Sequence, residues 1–188
     1  MPSKPIATFP GPDPAVSLLI RALAFAAQKH RDQRRKDINT SPYINHPIAL
    51  ADVLCNEGNI DDDITLCAAI LHDTIEDTET TESELRETFG NDVCNIVVEV
   101  SDDKNLPKTE RKRLQFDHAT HASNRAKLVK LADKICNLRD MADHPPATWD
   151  TQRKQEYFDW SKQVIDQLRG THKKLEWAFD QAYKRRPA

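Results

Sequence analysis

ITLCAAILHDTIED, residues 64–77, is apolar apart from Thr65 until it meets a His-Asp pair, and two residues later a Glu-Asp pair. The apolar residues cover the whole circumference of a helix, so the segment reads as a buried helix, and Asp61, Asp62 and Asp63 supply its start. Carboxylates at the end of a buried helix are costly unless something offsets their charge, and a cation is the usual partner. If the helix continues at about 100° per residue, His72, Asp73, Glu76 and Asp77 share an arc of roughly 140° and can line one side of a cleft.

Moving outward, the flanking segments also have helical spacing. AVSLLIRALAFAAQKH carries apolar residues at a period near 3.6, with Leu19, Ala22, Leu23, Phe25 and Ala26 on one face. Pro47 suits the first turn of a helix reaching about Asn56, with Gly58 to end it. Thr81 caps an acidic first turn, and Gly90 marks a stop. VCNIVVEV alone could be a buried strand, but no partner strand is visible, so a helix over 92–100 is expected. Further helices are expected over 108–121, 124–142, 149–169 and 171–185. The expected organisation is all-α: a disordered lead-in over residues 1–14 and one compact helical domain over 15–188.

Composition narrows the function. The 188 residues carry a net charge of −3, which gives no global attraction for nucleic acid or an anionic membrane. Only 4 glycines occur, and neither GxxxxGK[ST] nor GxGxxG is present, so the common phosphate-loop folds have no support. No run approaches the ~20 apolar residues needed to span a bilayer. Cys55, Cys67, Cys94 and Cys136 are widely spaced in apolar surroundings and read as reduced core thiols of a cytoplasmic protein.

Two further segments join the His-Asp pair. In AKLVKLADKICNLRDM, Lys130, Asp133, Lys134 and Asn137 form a single polar stripe on an otherwise apolar helix, which either meets solvent or faces a polar cavity. In PYINHP, His46 stands directly before a proline. Taken singly, His46 reads as a turn or capping residue and Asp133 as the partner of Lys130 or Lys134. Together His46, His72, Asp73 and Asp133 supply two imidazoles and two carboxylates, a donor set for Mn²⁺, Fe²⁺, Co²⁺ or Zn²⁺ rather than Ca²⁺, with Mn²⁺ the first choice.

These residues spell H…HD…D, and the chain resembles the HD hydrolase superfamily of metal-dependent phosphohydrolases. KHRDQRRKD, PYINHP, LHDTIEDT, EVSDDKNLPKTERKR, AKLVKLADKICNLRD and QEYFDW are similar, more narrowly, to the small alarmone hydrolases related to the RelA/SpoT hydrolase domain. The resemblance runs from about residue 18 to 183. It implies that His46, His72, Asp73 and Asp133 hold Mn²⁺ and that Glu76 and Asp77 handle the proton and the attacking water. It also implies that Arg35, Lys36, Asn137 and Tyr157 contact the nucleotide.

The implied reaction removes pyrophosphate from the 3′ position of (p)ppGpp. The alternatives are an HD phosphatase for another nucleotide, such as NADPH, and a nucleotide sensor with decayed catalysis. Within the basic stretch at 29–36, Arg35 suits stacking on a purine and Lys36 an electrostatic role. The second cluster, Lys104, Lys108, Arg111, Lys112 and Arg113, is either a solvated helix face or a set of cations over the cleft. Trp149, Trp160 and Trp177 read as packing anchors.

Overall fold

The structure, a computed structural model, describes residues 13–188. The lead-in therefore lies outside the described residues as far as position 12. Pro14 already begins the first helix, where the Asp13 side chain caps Ala15 N at 2.8 Å. The helices are α1 (Pro14–Lys29), α2 (Asn45–Asp52), α3 (Asp63–Leu71), α4 (Thr74–Asp77), α5 (Glu82–Val100), α6 (Lys108–Ala119), α7 (Asn124–Asp143), α8 (Thr151–Asp166) and α9 (Lys173–Tyr183). The fold is all-α, and among the described residues the only β pairing is an isolated bridge between Arg34 and Pro42. VCNIVVEV is helical, as its neighbourhood suggests.

α3 is the central helix. Thr65 through Leu71 are all buried, and the helix packs against α1, α2, α5 and α7. Each fully buried leucine or isoleucine here contributes about 1.5–3 kcal/mol through removal of apolar surface from water. Asp62 caps α3 by accepting from Thr65 N at 3.1 Å, and Arg125 from the start of α7 donates to the same carboxylate at 2.9 Å. α7 is the second buried helix, and its polar stripe is turned inward, between α2, α5 and α8.

Local departures from the sequence expectations have physical causes. α2 begins at Asn45, so Pro47 is its third residue rather than its first. No hydrogen bond is lost, because the first four helical N–H groups have no partner within the helix. α2 runs into a π-helical turn, Val53–Glu57, and Cys55 on its outer side is exposed, unlike Cys67, Cys94 and Cys136. Gly58 closes that turn. A Cβ there would stand 2.6 Å from the Leu54 carbonyl oxygen and 3.1 Å from Leu175 of α9, so only glycine lets α9 approach. Gly90, at φ 84° and ψ 173°, is non-helical and separates the two helical stretches of α5, the stop expected there from the sequence.

The most consequential departure is at the His-Asp pair. α3 stops at Leu71, and Asp73, at φ −99° and ψ 1°, lies in the sparsely populated bridge region before α4 restarts the helix. α3 and α4 are therefore two helices rather than one. His72, Asp73 and Glu76 line one cavity, and Asp77, about 100° around α4 from Glu76, lines an adjoining one. The backbone is accommodated locally, since the Thr74 hydroxyl donates to the Leu71 carbonyl at 2.7 Å.

Candidate active site and metal centre

Three elements converge at one buried point: the first turn of α2, the α3–α4 break and the middle of α7. One ligand atom each from His46, His72 and Asp133 can be chosen so that all lie within 4.8 Å of one another. Asp73 stands just outside that set, but its Oδ2 is 2.8 Å from His72 Nε2. His46 Nε2 is 3.3 Å from Asp133 Oδ1.

The donor chemistry fits a cation. His72 Nδ1 sits 2.8 Å from the Ala69 carbonyl oxygen and must donate to it, which leaves Nε2 with a bare lone pair. That Nε2 is buried without a hydrogen-bond partner and faces a carboxylate oxygen. Two acceptors so opposed in a low dielectric require a positive charge between them: a second proton on the ring, toward which Asp73 raises His72, or a metal ion. A metal-bound histidine characteristically donates its other ring nitrogen to a backbone carbonyl in this way.

The charge states agree with tight coupling. Burial pushes the Asp73 carboxyl up, but the His72 and His46 imidazoles outweigh it and hold the group well below the usual carboxylate range. Burial likewise opposes ionisation of Asp133, and Lys134 with His46 more than reverses it. His46 is held below its ordinary value by burial, whereas beside Asp73 the His72 imidazole is raised despite burial. The Tyr43 hydroxyl donates to Asp73 Oδ2. Its own pKa is pushed upward by burial and by the Asp73 and Asp77 charges, so it stays a donor.

The histidines and aspartates open onto a cavity of about 240 Å³. Glu76 is in its wall, accepting from Asp102 N at 3.1 Å with Arg111 at 3.7 Å. Burial, followed by the Asp73 and Asp102 charges, raises the Glu76 carboxyl to about 7 despite that backbone bond. All four polar residues of the α7 stripe line the same cavity, which decides between solvent and cavity for them. Lys134 is buried, 3.0 Å from Asp133 Oδ2 and 4.6 Å above the Trp160 ring. From α6, Lys108, Arg111 and Lys112 also reach this cavity, while Arg113 turns outward to Glu110 and Asp117.

Asp77 is on the other side of α4. It accepts from Gln33 Nε2 at 2.7 Å and pairs with Lys104, in an adjoining cavity that also holds Arg35 and Lys36. Arg35, Tyr43, Asn137, Trp149 and Tyr157 line both cavities and form the passage between them. Arg35 donates to Asn137 Oδ1 at 3.1 Å and Asp140 Oδ2 at 2.7 Å, and Asn137 donates to Asp133 Oδ1 at 2.5 Å. The Arg35 guanidinium is therefore one residue removed from the metal donors.

Trp149 packs against the core as expected, and it and Trp160 also line the cavity with Tyr157 between them, at ring separations of 5.8 and 5.5 Å. Lys108 lies 6.0 Å and Arg153 4.3 Å from the Trp149 ring centroid. Trp177 is 65% exposed and anchors nothing. Sequence reasoning assigned no role to Tyr43, Lys134, Trp149 or Trp160 at the site. For Tyr43 the signal was its place three residues before His46, which one turn of backbone brings alongside it.

Comparison with known proteins accords with this arrangement. Residues 22–159 match the HD domain family. The guanosine-3′,5′-bis(diphosphate) 3′-pyrophosphohydrolase MESH1 of Xenopus tropicalis is 55% identical over 167 residues, covering 89% of this chain and 93% of its own. The protein of the same name from Homo sapiens is 54% identical over 168 residues, 89% of this chain and 94% of its own. The solved structure of a metazoan ortholog of SpoT, described as hydrolysing ppGpp and playing a role in starvation responses, matches with a TM-score of 0.88. It is 46% identical and covers 96% of this chain and 98% of that one.

Proposed function

This chain belongs to the HD domain family, and on that premise we propose that it is a metal-dependent guanosine-3′,5′-bis(diphosphate) 3′-pyrophosphohydrolase. It hydrolyses (p)ppGpp to GDP or GTP and pyrophosphate. The observation that carries this reading is a single cavity joining a cation donor set, a carboxyl tuned near neutrality and cationic side chains over an aromatic wall.

His46, His72, Asp73 and Asp133 would hold one divalent ion, for which Mn²⁺ suits the mixed imidazole and carboxylate donors. When bound, such an ion supplies Lewis acidity toward phosphoryl oxygens and lowers the pKa of water. Tyr43 donates to Asp73 Oδ2 and Lys134 to Asp133 Oδ2, so both carboxylates are held in place. Lys134 also offsets charge there. Its ammonium is held protonated by Asp133 against the effect of burial.

Glu76 accepts the proton released by the attacking water, and a carboxyl near pH 7 is matched to both taking and returning it. Asp77 orients water and relays the proton toward the adjoining cavity. Lys108, Arg111 and Lys112 bind the pyrophosphoryl oxygens and stabilise charge that builds up on them. Arg35 and Tyr157 present a cation and a ring to the guanosine, with Asn137 and Lys36 supplying polar contacts on the same side. Among the described residues no helix is long and apolar enough to cross a membrane.

The test is direct. Chelator-treated protein mixed with ppGpp should release nothing, and adding Mn²⁺ should yield GDP and pyrophosphate in equal amounts. Release of orthophosphate, or turnover undiminished without metal, would overturn the assignment.

A further inference from the structure

Asp77 is held by two partners of different character. Lys104, on the connection before α6, has a side chain that is 49% exposed, so its ion pair with Asp77 is open to solvent. Gln33 is anchored. Its N–H donates to the His30 carbonyl at 3.0 Å, and its carbonyl accepts from Tyr43 N at 3.2 Å, so its backbone is pinned on both sides. Its side-chain Nε2 donates to Asp77 Oδ2 at 2.7 Å.

The orientation of that amide is determined by chemistry. A carboxylate offers only acceptors, so the Gln33 NH₂ must face Asp77, and Oε1 must face the other way. Oε1 meets His30 Nδ1 at 2.6 Å, which requires the hydrogen to be on Nδ1. His30 is itself 2% exposed, its Nε2 has no partner, and its ring stacks 4.8 Å from Tyr43, whose hydroxyl holds Asp73. A buried imidazole with no direct contact to the site thus reaches one acidic group of the site through Gln33 and supports another through Tyr43.

From this geometry we infer that His30 and Gln33 form a positioning relay that fixes the Asp77 carboxylate for proton transfer. His30 sets the direction of the Gln33 amide, and Gln33 sets the direction of Asp77. Neither touches the reacting atoms. The inference rests on the proposed proton-handling role of Asp77, and its test separates the two.

The test uses the metal-loaded full chain with ppGpp and follows kcat, KM, bound Mn²⁺ and melting temperature. Gln33→Leu keeps the volume and removes both hydrogen bonds. It should lower kcat by about 10-fold or more, the scale of a misplaced catalytic group, with KM and metal content unchanged. In an Asp77→Asn background the same substitution should change kcat less than about twofold, because residues acting through one another are non-additive. His30→Phe should reproduce the kcat loss. His30→Asn, whose amide nitrogen stands where Nδ1 stands, should recover most of it.

Normal kcat in Gln33→Leu, or a full loss added on top of Asp77→Asn, would overturn the relay while leaving the role of Asp77 intact. Normal turnover in Asp77→Asn itself would instead remove the role on which the relay depends. Should His30→Phe fold poorly, the Gln33 and Asp77 double cycle decides alone.

Discussion

Replacing Glu76 by glutamine should make the metal-free protein more stable and the enzyme nearly inactive. Glu76 is held at about 7 in the folded chain, against 4.5 for an ordinary glutamate, chiefly because burial disfavours its ionised form. A folded-state value above the unfolded one means that folding is easiest with the proton on. That stability is fully present below pH 4.5, is lost as pH rises toward 7, and is absent above it. At about 1.4 kcal/mol per pH unit the gap corresponds to roughly 3 kcal/mol at pH 8. The side chain is only 17% exposed, so solvent screening removes little of this.

Glutamine has no charge to lose and avoids the penalty at every pH. Urea unfolding of chelator-treated wild type and Glu76→Gln should therefore coincide near pH 4.5 and diverge with rising pH. By pH 8 the variant should lead by about 3 kcal/mol, or about 6–12 °C in melting temperature for a chain of this size. Metal-loaded Glu76→Gln should meanwhile turn over about 10²-fold or more slowly. Equal stability of the two proteins at pH 8 would refute the claim that burial poises this carboxyl near neutrality.

Asp73→Ala should lose bound metal and activity together, as measured by metal analysis after gel filtration and by ppGpp turnover. Asp77→Asn should keep its metal while turnover falls about 10²-fold, because its carboxylate faces the adjoining cavity rather than the metal donors. Arg111→Ala should raise KM for ppGpp and lower kcat, read from steady-state kinetics, since Arg111 reaches both the cavity and Glu76. Leu71→Ala, at a fully buried position in α3, should cost about 2–5 kcal/mol by denaturant titration, and its damage to activity should follow the loss of folded protein.

Much of this was legible in the sequence because the burial pattern was extreme. The apolar run from Leu66 to Leu71, with aspartates to start it, reads as a buried helix. The Lys130, Asp133, Lys134 and Asn137 stripe on α7 reads as a face toward either solvent or a polar cavity, between which the structure decides. The candidate donors stand in the sequence in chain order, and the structure brings ligand atoms of three of them, His46, His72 and Asp133, within 4.8 Å of one another. What could not be read was the break at His72 and Asp73, because the end of a buried helix is set by its packing as well as by local propensity.

Glu76 and Asp77 line separate cavities, and which residue meets which depends on how α4 sits against its neighbours, which the sequence does not state. That Trp149, before α8, and Trp160, on it, also meet the cleft was hidden for another reason. An aromatic side chain carries no mark of whether its ring meets core or cleft until α6 and α8 are placed. Gln33 and His30 were hidden because their meaning is relational: each matters only through a hydrogen bond to a residue far along the chain or across a turn.

The account turns on one ion seated between α2, the α3–α4 break and α7. X-ray absorption at the manganese edge of protein loaded with one equivalent of Mn²⁺ reads its neighbours directly. Two imidazoles should contribute to the scattering together with carboxylate oxygens, falling to one imidazole in His46→Ala. A shell of oxygens alone, unchanged by that substitution, would contradict it.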